Sequence, residues 1–227
     1  MEHRGKGLQN LLGRREVLFA GMGSVGLLVG RPLSAAHAAA LGIVDIGNWD
    51  LPDLSFAMTD ADTGREVTAR DFRRKVVLLY FGYTNCPDVC PMTLHNIAVA
   101  LGRLGKAAER VRALFVTVDP HRDTLAVLRK YTRLFAPEVV GLRGTADQLA
   151  ALASRYHIGY SVSPATASHP YEVNHSAGIY VFDARGRARL LIPSLDSSTS
   201  DVAATAGALA RLLGASARQT AVRHHLS

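Results

Sequence analysis

Two apolar runs dominate the hydrophobic pattern of the chain: residues 76–81 are continuously apolar, and residues 111–118 are apolar except for Arg112 and Thr117. Both are rich in β-branched and aromatic residues, as is typical of strands buried on both faces of a sheet. Apolar residues at helical spacing follow each run, from Leu94 to Leu104 and from Leu125 to Phe135, before Pro137. This strand–helix–strand order predicts parallel strands in an α/β sheet.

Shorter elements complete the predicted sheet. An Asp/Gly-rich turn between residues 56–58 and 65–67 predicts an N-terminal hairpin. The remaining pattern predicts strands at 139–142, 158–162, 178–182 and 189–192, a helix from the capping residue Thr145 to about Tyr156, and a last helix at 202–213. The mixture of parallel and antiparallel strands predicts an α/β, thioredoxin-like single domain, with a central mixed sheet flanked by helices.

The first 38 residues have the features of an export signal. Arg14 and Arg15 precede an apolar run at 17–29, which is shorter than the roughly 20 residues that a membrane-spanning helix needs. An Ala-His-Ala cleavage pattern follows at 36–38. These features predict a twin-arginine-like leader at 1–38, with a Sec signal or an uncleaved anchor as alternatives. A periplasmic or otherwise exported location follows, with membrane association only if the leader stays uncleaved.

Charge narrows the class of partner. The 227 residues carry a net charge of +7, but residues 1–38 hold five cations and two carboxylates, so the rest carries +4. No Lys/Arg-rich block with interleaved aromatic residues remains, and nucleic acid is therefore not expected as a partner. After the leader we expect a linker at 39–51, a folded domain at 52–213 and a tail at 214–227.

Both cysteines of the chain lie in one segment, Cys86-Pro87-Asp88-Val89-Cys90-Pro91. Two cysteines are too few for a disulfide-rich scaffold or a four-cysteine metal cluster. The segment joins a predicted buried strand to a predicted helix, where the helix dipole lowers the pKa of a thiol. In a helical turn the i, i+4 spacing places both sulfurs on one face, within reach of one ion or of each other.

The two sulfurs also have structural interpretations, either a small disulfide that stabilises little or a pair of inert buried thiols. A metal site requires a third ligand. Among the nine histidines, His175 stands out because it follows a long polar loop and precedes the strand predicted at 178–182. A loop of this kind can deliver a ligand across the end of a sheet.

Three segments, in order along the chain, resemble the Sco/SenC family. They are Tyr80–Pro91 with the two cysteines, Val116–Asp123 with Asp119, and Val173–Ala177 with His175. The resemblance covers residues 50–213. It implies a thioredoxin-like fold and copper binding, as Cu(I) or Cu(II), by Cys86, Cys90 and His175. It also implies that Asp119 lies near the site and either supports a ligand or docks a partner.

The resemblance further implies a copper metallochaperone that supports assembly of the Cu-A site of cytochrome c oxidase. Its expected partners are the oxidase subunit that carries this site and another copper donor. Two thiolates and an imidazole suit Cu(I), and they also bind zinc, so the identity of the metal depends on the resemblance.

Three residues near these motifs have further interpretations. Asn174 stands where the family usually has Asp, but an Asn can still accept a hydrogen bond that orients His175. Asp123 and Asp119 both have a structural alternative to a role at the site: Asp123 can cap the helix that follows it, and Asp119 can bond only loop amides.

Two other functions use the same sulfurs. A thiol–disulfide oxidoreductase would reduce the cysteines of the target copper site, although thioredoxin-type motifs have two residues between their cysteines and this chain has three. A thiol peroxidase ranks last, because Leu79 and Tyr83 stand where its Pro and Thr would be. The sequence thus favours a metallochaperone over an enzyme.

Overall fold

The structure, a computed structural model, describes residues 42–197 and 201–225. The predicted leader and its cleavage pattern lie outside these residues and stay predictions. Within the described ranges, no helix combines the length and the apolar character that crossing a membrane requires.

Ten strands and four α-helices occur in the described part of the chain. The strands are β1 (Val44–Asp45), β2 (Ala57–Asp60), β3 (Glu66–Thr68), β4 (Val76–Gly82), β5 (Val111–Thr117), β6 (Val139–Arg143), β7 (Tyr160–Ser163), β8 (Glu172–His175), β9 (Ile179–Phe182) and β10 (Ala188–Ile192). The helices are α1 (Val89–Gly102), α2 (Leu125–Thr132), α3 (Ala146–Arg155) and α4 (Val202–His225), with short 3-10 helices at Ala69–Phe72 and Gly105–Arg110.

Eight strands form one mixed sheet in the order β1-β10-β9-β4-β5-β6-β2-β3, while β7 and β8 pair with each other. Strand β4 runs parallel to β5 in unbroken register, from Val76 opposite Val111 to Gly82 opposite Thr117. All seven residues of β4 are buried, as its continuous apolar run predicted. The ends of β4 and β5 therefore coincide, and the loops that follow them lie side by side.

Helices cover both faces of the sheet. Leu78 and Tyr80 of β4 belong to a core cluster with α1, α2 and α4, whereas Val77 and Leu79 belong to a second cluster with α3. The alternation of side chains along a strand thus builds a core on each face. The predicted α/β architecture, a mixed sheet flanked by helices with an N-terminal hairpin of β2 and β3, is confirmed.

Some elements differ from the prediction. Strand β1 lies in the segment expected to be a linker, and β8 was not predicted. Helix α2 ends at Thr132, whose hydroxyl bonds back to the Leu128 carbonyl oxygen within the last turn. Such back-bonding weakens the end of a helix. Helix α4 continues to His225, so residues 214–225, expected to be a ragged tail, are helical.

Candidate metal centre

The two cysteines lie where β4 ends and α1 begins. Cys86 is partly exposed in the loop before the helix, whereas Cys90 is completely buried in its first turn. Since α1 begins at Val89, Cys86 is not itself helical. The cysteines approach each other through the backbone, because the Cys90 N–H donates a hydrogen bond to Cys86 Sγ at 3.4 Å.

The Cys86 sulfur takes the role of a helix cap. Asp88 occupies the N-cap position, but its side chain makes no capping hydrogen bond. The first N–H groups of a helix need an acceptor from outside the helix, and Cys86 Sγ accepts the one from Cys90. The start of α1 therefore stabilises negative charge on this sulfur.

The two thiols differ in acidity. Burial tends to raise the pKa of Cys86, but hydrogen bonds from the backbone of Cys90 and Asp88 oppose it, and the pKa falls below its ordinary value. Burial raises the pKa of Cys90 to about 12. Cys86 is thus the accessible sulfur that readily becomes a thiolate, whereas Cys90 keeps its proton until a metal ion replaces it.

His175, at the end of β8, completes the group. Its Nε2 lies 3.3 Å from Cys90 Sγ, and its Nδ1 donates to the Ser176 carbonyl oxygen at 3.0 Å. This hydrogen bond places the ring proton on Nδ1 and leaves the Nε2 lone pair directed at the sulfurs. Burial lowers the pKa of His175, although the bond to Ser176 acts in the opposite direction. A neutral imidazole of this kind is ready to bind a metal.

The structure brings together the three residues that the sequence analysis named as ligands. One ligand atom each from Cys86, Cys90 and His175 lie within 4.8 Å of one another, so a single metal ion can contact all three. Two thiolates and one imidazole are soft to borderline donors that fit Cu(I). The residues present therefore fit a copper ion.

Tyrosine rings line the group. The rings of Tyr80 and Tyr83 approach the His175 ring edge-on, with centroids 6.1 and 5.9 Å away. Burial raises the pKa of Tyr83 to about 12, so the phenol stays neutral at physiological pH. The local sequence does not mark these rings, because Tyr80 lies inside the apolar run at 76–81, which indicates a strand rather than the wall of a site.

Asp119 lies behind the group rather than in it. Its carboxylate is completely buried, pairs with Arg122 and accepts a hydrogen bond from the Tyr171 hydroxyl at 2.8 Å. Arg122 in turn lies 5.9 Å from the Tyr83 ring centroid, and Tyr83 contacts His175. Asp119 thus reaches the site through other side chains, and its burial makes it unsuited to direct contact with a partner.

The interpretation of Asp123 as the cap of α2 is wrong. Its buried carboxylate accepts hydrogen bonds from the backbone and hydroxyl of Thr84 and from the Thr117 hydroxyl. The Thr124 side chain caps the helix instead, accepting from the Val127 N–H. Asp123 therefore ties the end of β5 to the loop that carries Cys86.

Asn174 does not orient the histidine. Its side-chain amide donates to Glu172 at 3.1 Å, and the Ser176 carbonyl holds the His175 ring instead. The reason is alternation along β8: Glu172 and Asn174 are exposed, whereas Val173 and His175 are partly buried.

Comparison with known proteins places this site in a family. The sequence profile of the SCO1/SenC family matches residues 52–211. The chain belongs to the SCO1/SenC family. The match includes both cysteines and His175.

Relatives in the family resemble the chain to different extents. The bovine mitochondrial SCO2 homolog is 34% identical over 191 residues, which cover 81% of this chain and 69% of that protein. SenC of Rhodobacter capsulatus is 39% identical over 127 residues, or 54% of this chain and 55% of SenC. The chain spans about half the length of several other mitochondrial relatives.

Solved structures agree with the observed fold. ScoI of Bradyrhizobium japonicum, determined with copper bound, is 35% identical and matches with a TM-score of 0.60 over 69% of this chain and 98% of that chain. The likeness to Sco structures confirms the predicted thioredoxin-like fold.

Proposed function

We propose that this Sco/SenC protein is a copper metallochaperone that binds copper through Cys86, Cys90 and His175 and supports assembly of the Cu-A site of cytochrome c oxidase. The proposal depends on one observation, the convergence of three soft ligand atoms within 4.8 Å from two separate parts of the chain. The copper-bound ScoI structure supports copper over zinc as the metal.

Each ligand has a separate role in taking up this cargo. Cys86 is partly exposed and has a lowered pKa, so it makes the first contact with an incoming ion. Cys90 is buried and releases its proton as the metal binds. His175 offers a neutral nitrogen from a different element, which allows the site to close after the sulfurs have engaged.

The experiment is a competition for Cu(I) between the reduced protein and a chromophoric chelator. We expect Cys86→Ser, Cys90→Ser and His175→Ala each to weaken Cu(I) binding by more than about 100-fold. Replacing a residue that only supports a metal ligand already costs about 10–100-fold in metal affinity, and these residues are the proposed ligands themselves. His95→Ala, an exposed position on α1, is the control that keeps wild-type affinity. Wild-type affinity in His175→Ala would refute the three-ligand site.

Delivery to the oxidase is tested in cells. A strain without this gene is expected to lose oxidase activity and to regain it with added copper or with the wild-type gene, but not with Cys86→Ser. A defect that added copper leaves unchanged would count against copper delivery.

A second candidate function is reduction of the target's cysteines. The unequal acidity of the two free thiols favours it. The accessible Cys86 thiolate would attack a target disulfide to form a mixed disulfide, and Cys90 would then give up its proton and displace the target's sulfur. The target leaves reduced, and a Cys86–Cys90 disulfide remains for an external reductant to reopen. This function needs both cysteines but not His175. Rapid turnover of a disulfide substrate that is unaffected by His175→Ala would favour the reductase over the metallochaperone.

The proposed location is outside the cytoplasm, and the residue pattern of the predicted leader supports it. Replacing the arginine pair by lysines, Arg14→Lys with Arg15→Lys, is expected to stop export by the twin-arginine route. Cell fractionation measures this. Unchanged export would point to a Sec signal, and cytoplasmic wild-type protein would refute the location.

A further inference from the structure

The strand that carries His175 is not part of the main sheet. Strands β7 and β8 form their own antiparallel pair, in which Tyr160 lies opposite His175. At the base of this hairpin, Gly159 and Ser176 hydrogen-bond to each other. A two-stranded hairpin is only marginally stable by itself, so contacts with the rest of the domain must set the position of His175.

One side of β8 makes these contacts. Tyr171, Val173 and His175 are partly buried, whereas Glu172 and Asn174 between them are exposed. Alternate residues of a strand share a face, and a strand advances about 3.3 Å per residue. Tyr171 directly precedes β8, and its partial burial continues the alternation of the strand, so it lies on the same side of the segment as His175 and its position constrains that of the histidine.

Tyr171 ties this segment to the loop after β5. Its hydroxyl donates to Asp119 Oδ1 at 2.8 Å, and the Arg122 guanidinium lies 3.8 Å from the centroid of its ring. Arg122 also pairs with the second oxygen of Asp119. Within the described part of the chain, the Tyr171–Asp119 bond is the hydrogen bond that links residues 160–172 to the main domain.

The burial of Asp119 makes this tie strong. The carboxylate is completely buried, and its two oxygens are shared between Arg122 and Tyr171. Losing the tyrosine hydroxyl leaves a buried charged oxygen short of a donor, which costs more than losing a bond at the surface. Arg122 also connects to the metal centre, since it lies 5.9 Å from the ring of Tyr83, which contacts His175.

We propose that Asp119, Arg122 and Tyr171 form a latch that holds the β7–β8 hairpin in place and thereby positions His175 against Cys90. The three are positioning residues, since none is a candidate ligand. The effect of the latch on copper binding rests on the proposed function, whereas its effect on the position of the hairpin does not. With the Asp119, Arg122 and Tyr171 contacts formed, the latch keeps His175 Nε2 beside the sulfurs of Cys86 and Cys90. Without these contacts, only the two sulfurs remain as ligands.

The first test uses reduced, metal-free protein and NMR of the His175 ring protons. The edge-on rings of Tyr80 and Tyr83 give these protons resonances displaced from those of a free histidine. Tyr171→Phe removes only the hydroxyl and is expected to move the resonances toward the free values. Tyr160→Phe makes the same chemical change in the same hairpin, outside the latch, and is expected to leave them unchanged.

The second test measures the rate at which Cu(I) leaves the protein for a chelator. Tyr171→Phe is expected to speed this loss about tenfold, as loss of a bond to a charged group would. In a His175→Ala background the same change is expected to have no effect, because the latch acts through the histidine. Arg122→Lys keeps the charge but not the planar stack, and its effect is expected to lie between those of wild type and Tyr171→Phe.

Two results would overturn the latch. One is an equal acceleration by Tyr171→Phe with and without His175, which would mean a general loss of structure. The other is unchanged His175 resonances in both Tyr171→Phe and Arg122→Lys. If His175 proves not to bind copper but its resonances still move in Tyr171→Phe, the latch stands and the three-ligand copper site falls.

Discussion

Gly82, the last residue of β4, has no space for a side chain. A Cβ at this position would lie 2.5 Å from Cε2 of the Phe115 ring and 2.9 Å from Cys90 Sγ. Both neighbours are completely buried, so neither can move into solvent. The substitution Gly82→Ala therefore forces a shift at the back of the metal centre.

The size of the shift follows from these distances. Ordinary non-bonded contacts are about 3.5–4.0 Å, so the sulfur must retreat by roughly 0.6–1.1 Å if the backbone stays in place. Adding a carbon to a full core costs about 1–3 kcal/mol of stability. Since Cys90 Sγ lies 3.3 Å from His175 Nε2, the same shift changes the spacing of two proposed ligands. We expect Cu(I) affinity to fall about tenfold, a loss typical of disturbed support around a metal.

Urea unfolding and chelator competition measure the two effects. Gly102→Ala at the end of α1 is the matched control, because a Cβ there meets no atom within 4 Å. We expect this control to keep its copper affinity and its stability or to gain slightly, since Ala favours helix over Gly. A Gly82→Ala protein as stable as wild type, with wild-type copper affinity, would refute the reasoning.

Three further predictions concern the same loops. Asp123→Ala is expected to lower the free energy of unfolding by about 3–5 kcal/mol, because it leaves several hydrogen-bond donors around Thr84 and Thr117 unpaired. Thr124→Ala removes only the cap of α2 and is expected to lower it by about 1 kcal/mol. Equal losses of stability in urea unfolding would contradict the two roles. Iodoacetamide should modify Cys86 before Cys90 in reduced apoprotein, and peptide mass mapping that shows equal rates would count against the acidity difference. Folding raises the pKa of Cys90 from 9.0 to about 12, so the unfolded chain loses this proton at a lower pH than the folded protein. The difference in unfolding free energy between wild type and Cys90→Ser should therefore be greatest below pH 9 and fall toward pH 12. A difference that does not change with pH would contradict this prediction.

The sequence was sufficient where one local pattern decides the structure. The apolar run at 76–81 is typical of a fully buried strand and forms one, and Thr145 with Gln148 makes the capping box that starts α3. Cys86 and Cys90 follow that strand directly, so their place at the edge of the sheet was predictable. The His175 prediction used its place in a polar loop, and the structure puts its ring beside the sulfurs.

Other features depend on partners that are distant in sequence. Strand β8 has only four residues, three of them polar, and it exists because β7 pairs with it. Asp123 and Thr124 are adjacent and both are good cap residues, and the choice between them depends on Thr84, 39 residues away. Tyr171 has no local signal at all, because its partner Asp119 lies 52 residues earlier in the chain.

Because Cys86 Sγ caps α1 by accepting the Cys90 N–H, the state of that backbone amide depends on the oxidation state of the Cys86 sulfur. A thiolate is a strong acceptor for the Cys90 N–H, and a sulfur that has lost its charge by oxidation is a weak one. Hydrogen exchange at that amide should therefore quicken when Cys86 is oxidised. Helix α1 packs against the sheet and α4. We therefore expect oxidation of the partly exposed Cys86 to loosen the first turn of a helix that belongs to the core.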